Sequence, residues 1–399
     1  MKNREADDRD DFESILPEYG RRKLLTCAES IRELAESFQE TRENREILPE
    51  ENRNDFLCQR RLFENKNLMA EHLQEMAQIM TDVAQETKSC RPLSVRRVKQ
   101  IAHAMKEVGV QMKNLYLIEN EEGKSEVTIC LRNEKRNTLS AEEMGDLLSV
   151  LLNIRLVCTG DNPFFVTEEW KTFYYVEEAG YHVLTGVATA VKETEKVSGD
   201  NYSFFEMKPG NQTAILSEGM GSGEKACQDS TLVVELMQKF LEAGFPAETA
   251  ISMINSALVC REESANMSTL DLCSIDLYGG ECRFIKVGSA CSYIKRGQLV
   301  ERISSGNLPM GIFQKPDVDM VCRELEDGDY VILFSDGVTD ALSQGMGEEI
   351  LPEVIGSCQL SNPGEIAGSL LNFCIHQCKG RIRDDMTILV IGIWKKEEE

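Results

Sequence analysis

The first 90 residues carry apolar side chains at helical spacing. Leu24, Ala28, Ile31, Ala35 and Phe38 alternate separations of four and three positions. A second stripe follows Pro49 and comprises Leu62, Met69, Leu73, Met76, Met80 and Val83. This spacing predicts amphipathic helices that bury one face. Because each stripe covers only two to three heptads, an intramolecular hairpin and the seam of a homodimer are both open.

Residues 91–177 mix helical and strand-like patterns. Residues 95–108 predict an amphipathic helix that ends at Gly109, and strand-like runs follow at 115–118 and 127–131. A capping signature over residues 140–143 precedes a second helical pattern. The block contains no glycine-rich phosphate loop and no metal-ligand spacing. We therefore interpret it as a small α/β domain with a regulatory or binding role.

From residue 178 onward the pattern becomes strand-rich, with apolar or alternating runs between glycine or polar turns. Strands are predicted at 181–191, 203–207, 213–216, 270–277, 282–287, 290–295, 330–334 and 386–393. Helices are predicted at 224–243, 246–259 and 363–378. Antiparallel strands with helices inserted between them predict a β-sandwich covered by helices. The expected fold is α/β (α+β), with a helical region at 1–90, an α/β domain at 91–177 and a sandwich domain at 178–397.

Composition narrows the classes of partner. The chain has 399 residues, 42% of them hydrophobic, and a net charge of −24. This length is enough for two or three domains with their own cores. The acidic balance argues against nucleic acid as a partner, since sequence-independent binding needs a basic surface. A site for phosphate in such a chain would need bound cations to reverse the local potential.

The cysteines and the N-terminus predict a reducing, cytoplasmic environment. The 14 cysteines form no Cys-x-x-Cys pair and no disulfide-like spacing, which favours buried free thiols over zinc. The N-terminus is polar and charged, unlike a signal peptide. The longest apolar run falls far short of the roughly 20 residues that span a bilayer. We therefore expect no membrane span in this chain.

Four acidic residues stand at predicted strand ends in the second half of the chain. They are Asp200, Glu218, Asp336 and Asp384, and three of them have Ser or Gly neighbours. A single Asp-Gly pair is more often a turn than a site. Carboxylates from separate strands that converge suit hard divalent cations such as Mg²⁺ or Mn²⁺. The four together therefore predict a metal site.

Other chemistries find little support in the sequence. The glycine run after Glu218 matches neither the P-loop pattern nor the dinucleotide-binding pattern. Only two of the four histidines, His182 and His376, lie in this domain, and neither has a motif-like setting. A Ser-His-Asp or Cys-His arrangement is therefore unsupported. Hydrolysis in this domain would have to use water activated by a metal ion.

The acidic residues and their surroundings resemble the metal-dependent (PPM, type 2C) serine/threonine phosphatases, and more closely the bacterial stage II sporulation protein E branch. The resemblance is specific over about residues 178–397 and extends more weakly through the preceding α/β block and the helix around residues 62–83. The segments that carry it are 191–202, 219–223, 268–272, 275–277, 284–289, 307–311, 335–337 and 384–387.

The resemblance implies a PPM-type β-sandwich flanked by helices and a binuclear Mn²⁺ or Mg²⁺ centre. By motif position, Glu218 would bridge both metal ions, and the carbonyl of Gly219 would ligate the second. Asp336 and Asp384 would ligate the first. Asp200 would support the second, directly or through water. Glu218, Asp336 and Asp384 would thus be the catalytic residues of a metal-dependent protein serine phosphatase.

The resemblance also implies a substrate and partners. The substrate would be a phosphorylated anti-anti-sigma factor, whose dephosphorylation frees a sporulation sigma factor. Family analogy adds contact with a protein of the cell-division septum, so that a cytoplasmic chain could be septum-associated. Family members typically begin with a multi-span membrane segment, which the chain as given does not carry. It is therefore interpreted as a soluble homologue or as a cytoplasmic portion.

Glu218 departs from the family, which has aspartate at that position. Glutamate keeps the charge but adds a methylene group, so one metal ion would be displaced. A misplacement of about 1 Å can cost roughly 100-fold in rate. The alternative function is therefore a catalytically weakened pseudophosphatase that acts as a binding or scaffold protein. The three other acidic residues, which match the family, favour the enzyme.

Overall fold

The structure, a computed structural model, describes residues 93–396 with gaps at 120–122, 135–137, 160–161, 260–266, 314 and 344–347, and some helical positions between residues 28 and 81. The chain divides into two compact units, Met1–Glu178 and Ala179–Glu399. Within the described residues, no helix has both the length and the apolar character needed to cross a membrane.

The predicted helical region at 1–90 falls mostly outside the described residues. Ala28 and Ala35, which belong to the first predicted stripe, are helical and fully buried. The Arg32 guanidinium donates a hydrogen bond to Oγ1 of Thr81 at 2.7 Å. This contact joins the two helical stretches, as a hairpin requires.

The first unit contains a four-stranded antiparallel sheet with the strand order β1-β2-β4-β3. Its elements are α1 (Val95–Glu107), β1 (Val110–Glu119), β2 (Ser125–Asn133), α2 (Ala141–Leu152), β3 (Leu156–Cys158) and β4 (Lys171–Glu177). Ser140 caps α2 in a capping box with Glu143, as the sequence signature predicts. Both helices bury apolar residues against the sheet, including Met105 and Met144.

The second unit is built from two five-stranded antiparallel sheets, with strand orders β11-β10-β13-β14-β5 and β12-β9-β8-β7-β6. The strands are β5 (Tyr181–Ala190), β6 (Asp200–Lys208), β7 (Asn211–Glu218), β8 (Leu270–Asp276), β9 (Glu281–Val287), β10 (Ser292–Arg296), β11 (Leu299–Ile303), β12 (Asp319–Glu324), β13 (Tyr330–Phe334) and β14 (Met386–Lys395). The helices are α3 (Glu224–Glu242), α4 (Ala247–Val259), α5 (Asp336–Ser343), α6 (Leu351–Ser357) and α7 (Pro363–Gln377), with a 3-10 turn at Glu348–Ile350 before α6.

Three apolar layers hold this unit together. The layer between the sheets includes Phe284 from one sheet and Leu389 from the other. Helices α3 and α4 cover the outer face of the β6–β9 sheet, and α5 to α7 cover the outer face of the other sheet. Each large apolar side chain that is fully buried contributes about 1.5–3 kcal/mol. The predicted β-sandwich with helices on its faces is confirmed.

Helix α7 packs very close to strand β5. A methyl group at Gly186 would lie 2.2 Å from the backbone nitrogen of Gly364, a separation that requires the helix to move. Gly368, in the same helix, has no neighbour within 4 Å of the corresponding position. The two glycines therefore differ in the space they have for a side chain.

We expect Gly186→Ala to destabilise the second unit by about 2 kcal/mol or more, because overpacking displaces the backbone of α7. Gly368→Ala should be neutral or stabilising by up to about 1 kcal/mol, since alanine favours a helix interior. Chemical denaturation of both variants measures the difference. Equal stability of the two variants would contradict the close packing of α7 on β5.

Candidate active site

Strand pairing brings the first two acidic residues together. Asp200 is the first residue of β6 and Glu218 is the last residue of β7, and they are direct partners in the antiparallel ladder. Side chains of directly opposed residues lie on one face of the sheet, about 5 Å apart. The hairpin therefore fixes two carboxylates at one edge of the sandwich.

Asp336 reaches the same edge from the other sheet. It is the first residue of α5, two residues beyond the end of β13. Its backbone N–H donates to Oε1 of Glu218 at 2.9 Å. The prediction that Asp336 stands at a strand end is thus refined, because the chain turns directly into a helix there.

Asp384 lies beside Asp336, in the turn before β14. The chain there is tied to the end of β13, since Thr387 donates its N–H to Oγ of Ser335 at 2.8 Å. The Asp384 side chain is 40% exposed, and Nζ of Lys192 lies 3.9 Å from its Oδ1. Asp384 therefore lies at the open side of the four acidic residues, next to the Lys192 ammonium group.

The backbone of Glu218 is held on both sides. Its N–H donates to Oγ1 of Thr269 at 3.0 Å, and its carbonyl accepts from the Thr269 N–H at 2.9 Å and from the Ser268 hydroxyl at 2.8 Å. These bonds fix the direction in which the Glu218 carboxylate points into the site.

Gly219 is enclosed by the start of α3. Its N–H donates to the carbonyl of Gly199 at 3.0 Å. A methyl group at this position would lie 2.0 Å from the carbonyl oxygen of Ala226. Only glycine fits, which keeps the backbone after Glu218 close to both β6 and α3.

The acidic residues crowd together but differ in exposure: Glu218 is buried, Asp200 is half-buried and Asp336 is exposed. Desolvation raises the pKa of Asp200 to about 7 and that of Asp336 to about 6, and the charge of Asp384 adds to the shift at Asp336. Burial also raises the pKa of Glu218 well above its usual range, and the nearby charges of Asp336 and Asp200 add to the shift. Within the described residues, Oδ2 of Asp200 and Oε2 of Glu218 are buried without a hydrogen-bond partner. A divalent cation would offset the repulsion between the carboxyl groups and would give both oxygen atoms a partner.

A further buried acid nearby is already neutralised. Asp271 and Lys286 are each 1% exposed and form an ion pair between the sheets. Nζ of Lys286 also donates to Oγ of Ser292 at 2.8 Å. Asp271 is therefore a structural acid, unlike Asp200 and Glu218.

These residues fit a hard divalent cation by their chemistry, because they supply several oxygen atoms in an acidic, partly buried setting. Among the described residues, however, no group of three or more His, Cys, Asp or Glu side chains is arranged to hold a metal ion. Oε1 of Glu218 already accepts the Asp336 N–H. The metal-ligand roles of Asp200, Glu218, Gly219, Asp336 and Asp384 therefore stay predictions.

Most of the chain is similar to a solved phosphatase structure. The structure of the PP2C phosphatase domain and a fragment of the regulatory domain of the cell fate determinant SpoIIE from Bacillus subtilis is 30% identical, with a TM-score of 0.60. The match covers 87% of this chain and 99% of that one. The family model for stage II sporulation protein E matches residues 208–394, and the model for the SpoIIE regulatory domain matches residues 44–174. The chain belongs to the stage II sporulation protein E family.

Two stage II sporulation protein E sequences are also similar to this chain. The protein from Bacillus subtilis (strain 168) is 29% identical over 331 residues, and the one from Priestia megaterium is 30% identical over 328 residues. They match 83% and 82% of this chain, which spans 40% and 56% of their respective lengths. The predicted family and the PPM-type fold with a preceding regulatory region are confirmed.

Sequence reasoning did not single out two residues beside the acidic cluster. Lys192 is placed next to Asp384 by tertiary structure, although it lies in the segment 191–202 that carries the family resemblance. Asp385, the neighbour of Asp384, is buried and binds backbone N–H groups of the segment before Asp200. The doubled acid of the 384–387 segment is the signal that could have identified it.

We expect Asp200→Asn to stabilise the metal-free protein at pH 8. The folded pKa of Asp200, about 7, lies above that of an unfolded aspartate, so its ionisation destabilises the fold increasingly between about pH 4 and 7. The melting temperature in chelator should rise by about 5 °C at pH 8 and stay unchanged near pH 4. A fall in the melting temperature at pH 8 would contradict the inference that the ionised Asp200 carboxylate destabilises the fold.

Proposed function

We propose that this chain is a divalent-metal-dependent protein serine phosphatase. The substrate we propose is a phosphorylated anti-anti-sigma factor, whose dephosphorylation releases a sporulation sigma factor. The observation that carries the proposal is the meeting of Asp200, Glu218 and Asp336 at one edge of a SpoIIE-type sandwich, with Asp384 beside them. An acidic edge with buried oxygen atoms that lack a hydrogen-bond partner suits a cation that faces phosphate.

The proposed cofactor is a pair of Mn²⁺ or Mg²⁺ ions. Asp200, Glu218 and the Gly219 carbonyl would hold one side of the pair, and Asp336 and Asp384 the other, with Glu218 between them. When bound, such ions supply an activated water and stabilise charge on the phosphoryl group.

The chain's own residues set the surroundings of this chemistry. The pairing of β6 with β7 keeps Asp200 and Glu218 in fixed register. Lys192, which is 27% exposed and lies near Asp384, adds positive charge at the open side. The phosphate of an approaching phosphoserine would be attracted to this ammonium group, whereas the chain's net charge of −24 repels it.

The remaining proposals concern regulation and location. Residues 1–90 and 91–177 are proposed as a helical region and an α/β regulatory domain that precede the phosphatase domain at 178–397. We propose that the upstream regions mediate contact with a septum protein and homodimer formation. The protein would then act in the cytoplasm, at the division septum, without nucleic acid.

One observation favours a second function, that of a weakened phosphatase used as a scaffold. The longer arm of Glu218 allows its Oε1 to bind the Asp336 N–H. That leaves Oε2 as the unpartnered oxygen of this carboxylate, whereas a bridging ligand has to serve two ions. A scaffold of this kind would keep the fold and lose turnover.

We expect the purified chain to release phosphate from a phosphorylated anti-anti-sigma factor when Mn²⁺ is added, and to stop when a chelator is added. Asp336→Asn should lower kcat/KM by about 100-fold or more, because a charged group of the metal site is lost while its backbone N–H remains. Absence of turnover in the presence of bound Mn²⁺ would favour the scaffold. Absence of Mn²⁺ binding at millimolar concentration would remove the enzyme proposal.

We expect Glu218→Asp to raise Mn²⁺ affinity and turnover by about 10- to 100-fold, because the shorter arm corrects a misplacement of about 1 Å. The metal-free variant should lose about 1 kcal/mol of stability with the hydrogen bond from Asp336. Glu218→Gln is the matched control, since it keeps the length and the acceptor but loses the charge, and it should bind Mn²⁺ more weakly. Calorimetric titration of the three proteins decides the matter. Equal or weaker Mn²⁺ binding by Glu218→Asp would contradict the proposal that the longer side chain misplaces the carboxylate.

A further inference from the structure

Asp385 is a buried carboxylate that lies outside the predicted ligand set. It follows Asp384 directly and is 3% exposed. Its Oδ1 accepts the backbone N–H of Lys192 at 3.0 Å, and its Oδ2 accepts the backbone N–H of Gly199 at 2.7 Å. One side chain thus binds both ends of the connection between β5 and β6.

That connection has no regular secondary structure and is rich in charged residues. Its shape therefore depends on a few tertiary contacts. Besides Asp385, these include the bond from the Glu193 N–H to the carbonyl of Ile382 at 3.0 Å and the bond from the Ser222 hydroxyl to Glu195 at 3.2 Å. Hydrogen bonds from backbone N–H groups to a carboxylate are the strongest of this set.

The contacts of Asp385 lead directly to the site. Gly199, which it binds, precedes Asp200 and accepts the N–H of Gly219 through its carbonyl at 3.0 Å. Lys192, which it also binds, carries the ammonium group near Asp384. A shift of the Asp385 side chain would therefore displace both the backbone before Asp200 and the backbone of Lys192.

We infer that Asp385 is a positioning residue of the metal centre. It holds the β5–β6 connection so that Asp200 and Lys192 face the site from one side while Asp384 faces it from the other. This role rests on the proposed function, because the fixed positions matter only if Asp200 and Asp384 hold metal. Supporting groups of this kind typically change metal affinity by about 10- to 100-fold.

The chain offers a matched control in Asp276. This residue also binds two backbone N–H groups, those of Tyr278 at 3.1 Å and Gly279 at 2.8 Å. It lies at the far end of β8 from the segment that contacts Glu218. Loss of Asp276 removes the same kind of contact without touching the site.

The experiment compares Asp385→Ala, Asp385→Asn and Asp276→Ala with the wild-type chain. Mn²⁺ affinity is measured by calorimetry, and hydrogen exchange of the Lys192 and Gly199 amides is measured in metal-free protein. We expect Asp385→Ala to bind Mn²⁺ at least about tenfold more weakly and to exchange both amides faster. Asp385→Asn, which keeps one acceptor oxygen, should lie between. Asp276→Ala should bind Mn²⁺ within about twofold of wild type.

Two results would overturn the role of Asp385. The first is Mn²⁺ affinity within about twofold of wild type in Asp385→Ala or, should that variant fail to fold, in Asp385→Asn. The second is unchanged exchange of both the Lys192 and the Gly199 amides in Asp385→Asn. A wild-type chain that bound no Mn²⁺ would instead overturn the proposed function, and with it the metal centre that Asp385 serves.

Discussion

The pairing of β6 with β7 forces two carboxylates to face each other at an edge of the sheet, and the candidate site depends on this constraint. Asp200 and Glu218 are direct partners in the ladder, so neither can move away without breaking strand register. Asp336 adds a third acid through a hydrogen bond from its own backbone. The fold holds like charges together at a cost that the three apolar layers around the two sheets offset. A bound cation would turn that cost into binding free energy.

The central elements of the sandwich were predictable because each carries a strong local pattern. Strand β13 was predicted with the observed bounds, and helix α3 to within one residue. Strands β11 and β12 were missed because they lie at sheet edges. Their side chains are mostly exposed, and their apolar residues do not alternate with polar ones, so no strand pattern marks them. Helix α5 was missed because its eight residues are too few for a helical period to stand out.

The candidate site was likewise predictable only in part. The acidic residues could be identified from the sequence, since Ser and Gly neighbours and strand ends are local features. What binds their oxygens could not, because the bond from Asp336 to Glu218 spans 118 positions and that from Gly199 to Asp385 spans 186. Such contacts follow from sheet order, which depends on how the whole domain packs. Lys192 was missed for the same reason.

The length of the side chain at position 218 connects the fold to the chemistry. The direction of the Glu218 carboxylate is fixed by Thr269 and Ser268 at its backbone, so an extra methylene group cannot be absorbed by moving the strand. The carboxylate instead reaches the first N–H of α5, where an acid is favourable at a helix start. The oxygen that accepts this N–H, Oε1 of Glu218, is one that a bridging ligand would offer to a metal ion. A bound metal ion would therefore have to compete with the helix for Glu218, and we expect the strength of that competition to set how much metal-dependent activity this chain shows.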